Sequence, residues 1–73
     1  MYTLKGIVKK GRDKWVLKLE PYLFFPIENV EEINFLPPKV GFFNVDLRVV
    51  KGKIKSVVIR KYFYPKEIVN DVI

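Results

Sequence analysis

The side chains best suited to chemistry in this sequence are cations, and they are concentrated in two stretches. Residues 1–18 carry six Lys or Arg against one acid, and residues 48–66 carry seven basic residues and no acid. Residues 19–47 are different, with one Lys against five acids. Lys and Arg beside phosphates release condensed counterions, so the basic stretches favour a nucleic-acid backbone without reading its sequence. If they lie side by side, the lysines share one surface and the acids another.

Aromatic side chains near the second basic stretch suit stacking on unpaired bases, worth about 1 to 3 kcal/mol per base. The aromatic candidates are Tyr62 and Tyr64, then Phe42 and Tyr22. The candidate phosphate contacts are Lys5, Lys9, Lys18, Arg48, Lys53, Lys55, Arg60 and Lys61. The alternative interpretation is that these lysines keep edge strands soluble, as in many proteins from hot habitats.

Groups for catalysis are scarce. The chain has no His and no Cys, and Ser56 and Thr3 are its only aliphatic hydroxyls, so no nucleophile and base of the usual kind can be paired. Three carboxylates, Glu28, Glu31 and Glu32, lie close together on a polar stretch, which is typical of a solvated face. The sequence therefore predicts a protein that is not an enzyme and binds neither a metal nor a cofactor.

Two β-hairpins are predicted from the alternation of apolar and polar residues. Residues 2–10 and 14–20 form the first, joined at Gly11 and Asp13. Trp15 is in phase with Leu17 and Leu19, which places it in the core.

The second predicted hairpin begins with a strand in which Phe43 and Val45 point to the core. A three-residue loop with a bulge and a left-handed Gly52 would put Phe43 opposite Ile59 and Val45 opposite Val57. A two-residue loop would put Arg60 opposite Phe43, so burial favours the longer loop.

The stretch between the hairpins is interrupted by four prolines, at positions 21, 26, 37 and 38. Residues 22–25, YLFF, are predicted to be a short buried strand, or an interface if they are not buried. Residues 27–36 fit either a short helix or a strand, and the spacing of Ile27, Val30 and Ile33 favours the helix. Residues 66–73 follow Pro65 and carry an apolar stripe, which predicts a short C-terminal helix.

The fold class expected from these elements is mainly β. It is a small open barrel or curled antiparallel sheet of four to five strands, built from two hairpins with a short C-terminal helix. Residues 1–73 form one domain. Val, Ile and Leu make up 24 of the 73 residues, enough for a core. The absence of cysteines, of a leader and of a long apolar run predicts a soluble, cytoplasmic protein without a membrane partner.

Residues 39–62, KVGFFNVDLRVVKGKIKSVVIRKY, resemble the last hairpin of small oligonucleotide-binding barrels, including cold-shock-like domains. Members of that family often run strand, short glycine turn, strand within a basic five-stranded barrel. The resemblance implies a barrel that binds single-stranded DNA or RNA.

A second hypothesis is a protein-interaction module or a homodimer. In that case the sheet edge, YLFF or the C-terminal stretch packs against another chain, and the positive charge serves solubility or an acidic partner.

Overall fold

The computed structural model describes residues 1–20 and 22–65. These residues form five strands and one short helix, so the fold is mainly β, as predicted. The elements are β1 (Tyr2–Lys10), β2 (Trp15–Leu19), β3 (Leu23–Pro26), α1 (Val30–Ile33), β4 (Gly41–Val50) and β5 (Lys53–Phe63). The helical alternative for residues 27–36 is therefore confirmed over one turn. The predicted C-terminal helix, at residues 66–73, lies outside the described residues.

The five strands form one antiparallel sheet in the order β3-β2-β1-β4-β5. Both predicted hairpins are confirmed, as β1 with β2 and β4 with β5. β1 joins them, since its residues 2–6 pair with β4 and its residues 7–10 pair with β2. The two cationic hairpins are therefore neighbours in the sheet.

β1 changes partner at Gly6, and this position has no room for a side chain. A Cβ there would lie 2.5 Å from the carbonyl oxygen of Lys18 and 2.6 Å from Cδ2 of Leu19. Glycine in a strand interior often marks a sharp bend or a close approach of another backbone. Gly6 thus allows β2 to approach β1 where the strand passes from one ladder to the other.

The predicted pairing of β4 with β5 is wrong, because the extra residues lie in the strand and not in the loop. The turn has two residues, Lys51 and Gly52, both with positive φ (52° and 78°), as in the primed turns that match strand twist. The register then shifts twice, which leaves Lys55 and Arg60 of β5 as bulged residues without a partner on β4.

The two bulges restore the apolar face that the two-residue loop alone would lose. Phe43 faces Tyr62 instead of Arg60, and Val45 faces Ile59. Burial favoured the longer loop in the sequence because it keeps Arg60 from facing Phe43, but a pair of bulges meets that requirement as well as a longer loop does.

The segment after β3 brings the two edge strands of the sheet together. Ile27 forms a parallel bridge with Val57 of β5, and the Glu28 N–H donates to the Val57 carbonyl at 3.0 Å. The Asn29 side chain continues the pairing: its Nδ2 donates to the Ile59 carbonyl at 2.6 Å, and its Oδ1 accepts from the Ile59 N–H at 3.1 Å. Because β3 and β5 end the strand order, these contacts, here called the seam, curl the sheet on itself.

The core lies inside this curl. Its largest fully buried side chains come from three strands and the helix: Leu17, Ile33, Phe43, Val45 and Val57. Trp15 is half-buried and packs against the core, as predicted.

The prediction of a buried YLFF strand is wrong for most of its residues. Phe25 packs against the core, but Tyr22, Leu23 and Phe24 are exposed. β3 is an edge strand with only four residues, so its side chains receive cover from one neighbour along most of its length.

Candidate nucleic-acid interface

A groove crosses the outer face of the sheet where β1 changes partner. Its volume is about 780 Å³, and it is lined by Lys5, Gly6, Ile7, Lys18, Leu19, Glu20, Val40, Phe42 and Pro65. Alternation along β1 turns Leu4 and Val8 toward the core, so the intervening Lys5 and Ile7 face outward. The groove therefore has an apolar floor with two ammonium groups beside it and one carboxylate, Glu20.

Aromatic rings lie next to this groove on the same outer face. Phe42 pairs across the ladder with Phe63, and their rings stack at a centroid distance of 5.3 Å and an angle of 16°. Phe24 pairs with Lys18, whose Nζ lies 5.9 Å from the centre of the Phe24 ring. Phe24 and Phe63 are about half exposed, so ring faces are accessible beside the lysines.

Two of the predicted cations line the groove, and others share its face of the sheet. Lys5 and Lys18 are lining residues. Lys61 pairs with Asn44, two positions along the ladder from the Phe42–Phe63 pair, which puts it on the same outer face as the stacked rings. Lys9 pairs with Val16 farther along β1. The outer face thus combines cations with rings, the two components of single-strand binding platforms.

The two predicted arginines are held in ion pairs with acids. The Arg60 Nε donates to an Asp46 carboxylate oxygen at 2.6 Å, and the Arg48 Nε donates to a Glu28 carboxylate oxygen at 3.2 Å. The expected separation of acids from cations is therefore wrong for these four residues. Their charges largely cancel, so the arginines are poor candidates for phosphate contacts.

These contacts also lower the pKa values of both carboxyl groups. A hydrogen bond from the Ser56 hydroxyl, followed by the Arg48 hydrogen bond and charge, lowers the pKa of Glu28. The Arg60 hydrogen bond and charge lower the pKa of Asp46. Both carboxyl groups therefore remain ionised at a somewhat lower pH than usual. Through Arg48 and Ser56, Glu28 also connects the seam to β4 and β5.

Lys53 and Lys55 lie apart from the groove, at the far end of the β4–β5 hairpin. β1 pairs with β4 only as far as Val45, and both lysines lie beyond that point. They lie beyond the Tyr2–Val45 end of the β1–β4 ladder, whereas Lys9 lies beyond its Gly6–Gly41 end. Asp46 lies in the stretch between. The lysines of the two hairpins therefore do not form one continuous row along this ladder.

The predicted stacking residues Tyr62 and Tyr64 pack on the core side instead of the outer face. The ring centroids of both lie 6.4 Å from that of Phe43, and their own centroids are 6.0 Å apart. Burial, followed by the proximity of Tyr62, raises the pKa of Tyr64. Tyr62 keeps some exposure, but these rings belong to the packing at the end of the sheet.

The bulge at Arg60 decides which aromatic rings of β5 face outward. Counting by twos from Ile59 leads to Lys61 and Phe63, whereas the extra residue moves Tyr62 to the inner face and Phe63 to the outer face. Phe42 carried a usable signal, because it is in phase with the polar residues of β4. The outward position of Phe24 follows only from its pairing with Lys18, which the sequence did not predict.

Ser56 and Glu28, which the sequence offered as a hydroxyl and a carboxylate, contact each other in the described structure. The Ser56 hydroxyl donates to Glu28, which is also engaged by Arg48. Among residues 1–20 and 22–65, no group of three acids is arranged to hold a metal ion. The arrangement is one expected of a structural contact.

No family model matches the chain, and neither curated proteins nor solved structures give a significant match. Within the described residues, no helix is long and apolar enough to cross a membrane.

Proposed function

We propose that this chain is a non-enzymatic protein that binds single-stranded DNA or RNA, largely independently of sequence, through the groove and the rings beside it. Lys5, Lys18 and Lys61 contact phosphates. Phe63, supported by Phe42, stacks on a base. The observation that supports this most strongly is the outer-face groove, where aromatic rings and ammonium groups lie on the same surface.

The charge of the chain supports the same proposal. Its net charge is +6, and within the described residues Lys5, Lys18 and Lys61 form no ion pair. Their positive charge therefore remains unneutralised by protein carboxylates at short range. A backbone of phosphates can displace its condensed counterions at such positions, which favours binding at low salt.

The resemblance to small oligonucleotide-binding barrels remains part of this proposal. That fold is a five-stranded, partly open barrel that takes oligonucleotides on a sheet face. Five strands in one curled sheet, with the edge strands brought together at the seam, support it. We further propose that the protein acts in the cytoplasm.

The test is fluorescence anisotropy with labelled single-stranded DNA and RNA at about 50 and 200 mM salt. The wild-type chain should bind with micromolar affinity at the lower salt. The triple variant Lys5→Gln, Lys18→Gln, Lys61→Gln should reduce the slope of log affinity against log salt by about 2, because each lost phosphate contact removes about 0.7. Phe63→Leu keeps apolar volume but removes the ring, and it should weaken binding about five- to a hundredfold.

A matched control removes the same charge from the β1–β2 turn region, that is, from the last residue of β1 and the loop after it. The variant Lys10→Gln, Arg12→Gln, Lys14→Gln should change the affinity for single strands less than the groove variant does. Equal losses in both triple variants would mean that only net charge matters. Absence of binding by the wild type at low salt would contradict the proposal outright.

A second candidate function, a protein-interaction module or homodimer, is supported by the exposed apolar end of β3. Tyr22, Leu23 and Phe24 are 80, 53 and 49% exposed. Sedimentation equilibrium separates the two functions: this candidate predicts a dimer that Leu23→Lys converts to a monomer. A wild-type monomer that binds single strands supports the first function alone.

A further inference from the structure

The tip of the β4–β5 hairpin, residues 49–55, extends past the strands that neighbour it. β1 pairs with β4 only up to Val45, and the bridge from the segment after β3 reaches β5 at Val57. The described residues measure 48 Å along their longest axis and 23 and 22 Å across. We call this tip the arm.

The arm exposes aliphatic side chains that no other strand covers among residues 1–20 and 22–65. Val49, Val50 and Ile54 are 57, 52 and 40% exposed. A two-stranded ribbon is marginally stable in water by itself, so a partner that covers these side chains gains apolar burial and orders the ribbon.

The charge of the arm indicates an anionic partner. Lys51, Lys53 and Lys55 are all exposed, and no acidic residue occurs between positions 47 and 66. The tight turn at Lys51 and Gly52 keeps the strands paired to the tip, so the three ammonium groups are carried on a narrow ribbon.

The arm differs from the groove in having no ring to offer an unpaired base. Residues 44–61 contain no aromatic side chain, whereas Phe42 and Phe63 lie just outside that range. Single-strand platforms depend on aromatic stacking. By contrast, a duplex major groove about 12 Å wide admits a two-stranded ribbon, and minor-groove proteins use aliphatic wedges beside Lys and Arg.

We propose that the arm is a second nucleic-acid-binding element and that its ligand is a duplex. Its lysines contact phosphates on both sides of a duplex groove, and Val50 and Ile54 contact the groove interior. This inference goes beyond the proposed function, because it assigns a different ligand to a different surface. Either surface can fail to bind while the other succeeds.

The test is anisotropy with a blunt duplex of about 20 base pairs, roughly two helical turns, measured beside a single strand of equal length. In the full chain, Lys51→Gln, Lys53→Gln, Lys55→Gln should weaken duplex binding about tenfold or more at about 50 mM salt and reduce the salt slope by about 2.7. Its affinity for the single strand should change less than about threefold on the same scale. The aliphatic variant Val49→Thr, Val50→Thr, Ile54→Thr should weaken duplex binding without changing the salt slope.

The β1–β2 turn-region variant Lys10→Gln, Arg12→Gln, Lys14→Gln is the charge-matched control and should bind the duplex nearly as the wild type does. Equal losses in the two lysine variants would overturn the proposal, as would absence of duplex binding by the wild type. It is also overturned if the arm variants weaken only single-strand binding. The proposal is likewise overturned if the arm variants abolish only self-association, or only binding to vesicles of anionic lipid.

Discussion

At the residue scale, single positions in β4 and β5 decide which aromatic rings lie on the outer face of the sheet. Phe42 was predicted only as an aromatic candidate, and its phase with the polar residues of β4 places its half-buried ring on the outer face. Tyr62 and Tyr64 were predicted to stack on bases but lie with Phe43, because the unpaired Arg60 reverses the alternation of faces along β5. The alternation of apolar and polar residues in a sequence does not reveal where a single β-bulge occurs.

Gly6 is the residue whose replacement should disturb the groove most directly. Gly6→Ala introduces a methyl group into the space occupied by the Lys18 carbonyl and the Leu19 side chain. Overpacking against backbone that cannot move aside typically costs about 1 to 3 kcal/mol, and we expect urea denaturation to show a loss of that size.

Gly52→Asn provides the comparison for this prediction. Nothing lies within 4 Å of a Cβ at Gly52, and Asn tolerates its positive φ better than other side chains do. This variant should cost less than Gly6→Ala. A larger loss at Gly52 than at Gly6 would show that crowding at β1 is not the controlling factor.

At the element scale, the strands were predictable and the seam was not. β1 was predicted with its observed bounds, and both hairpins followed from alternation and glycine turns. The seam extends a short backbone bridge with an amide side chain, that of Asn29, which joins residues 30 positions apart. Neither periodicity nor turn chemistry signals such a contact.

Asn29 should be necessary for the seam. Asn29→Leu keeps a similar side-chain volume but removes both hydrogen bonds to Ile59. The N–H and carbonyl of Ile59 are then partly buried and lose these partners. The expected loss of unfolding free energy is about 1 to 3 kcal/mol by urea denaturation. Hydrogen exchange of the Ile59 amide should become faster at the same time.

The control is Asn34→Leu, an amide at an exposed position after the helix. It should leave the Ile59 exchange rate unchanged. If both Leu variants have the same exchange rate at Ile59 as the wild type, the Asn29 side chain does not hold the seam.

Acid should loosen the seam through Glu28. The folded state lowers the pKa of Glu28 below 4.5 and that of Asp46 below 3.8, so both ionised forms favour folding. This stabilisation is fully present above about pH 5 and is lost as the pH falls through the lowered pKa values. The thermal unfolding midpoint should therefore fall between about pH 5 and pH 3.

Glu28→Gln isolates the seam carboxylate in this pH series. The midpoint of this variant should depend less on pH than that of the wild type, whereas Glu31→Gln, an exposed helix position, should follow the wild-type curve. If the unfolding midpoints of the wild type and Glu28→Gln change in parallel with pH, a group other than Glu28 causes the acid sensitivity.

At the scale of the whole molecule, the sheet places aromatic rings and lysines on one outer face, and the cationic arm extends away from it. In the part of the chain that the structure describes, Lys5, Lys18 and Lys61 of that face form no ion pair. The sequence predicted two basic hairpins, and they are neighbours. It did not predict that Arg48 and Arg60 would be paired with acids, because Glu28 and Asp46 come from the stretch expected on the far side. The candidate site is consequently smaller than the charge map indicated.

The central claim is that the groove beside Phe42 and Phe63 binds a single strand. Its most direct test is to titrate the labelled chain with an oligothymidine strand and to follow backbone amide shifts by NMR. Lys5, Ile7, Lys18, Phe42 and Phe63 should show the largest changes, whereas amides of α1 should stay fixed. Shifts confined to α1 and the seam, or no shifts at low salt, would contradict the account.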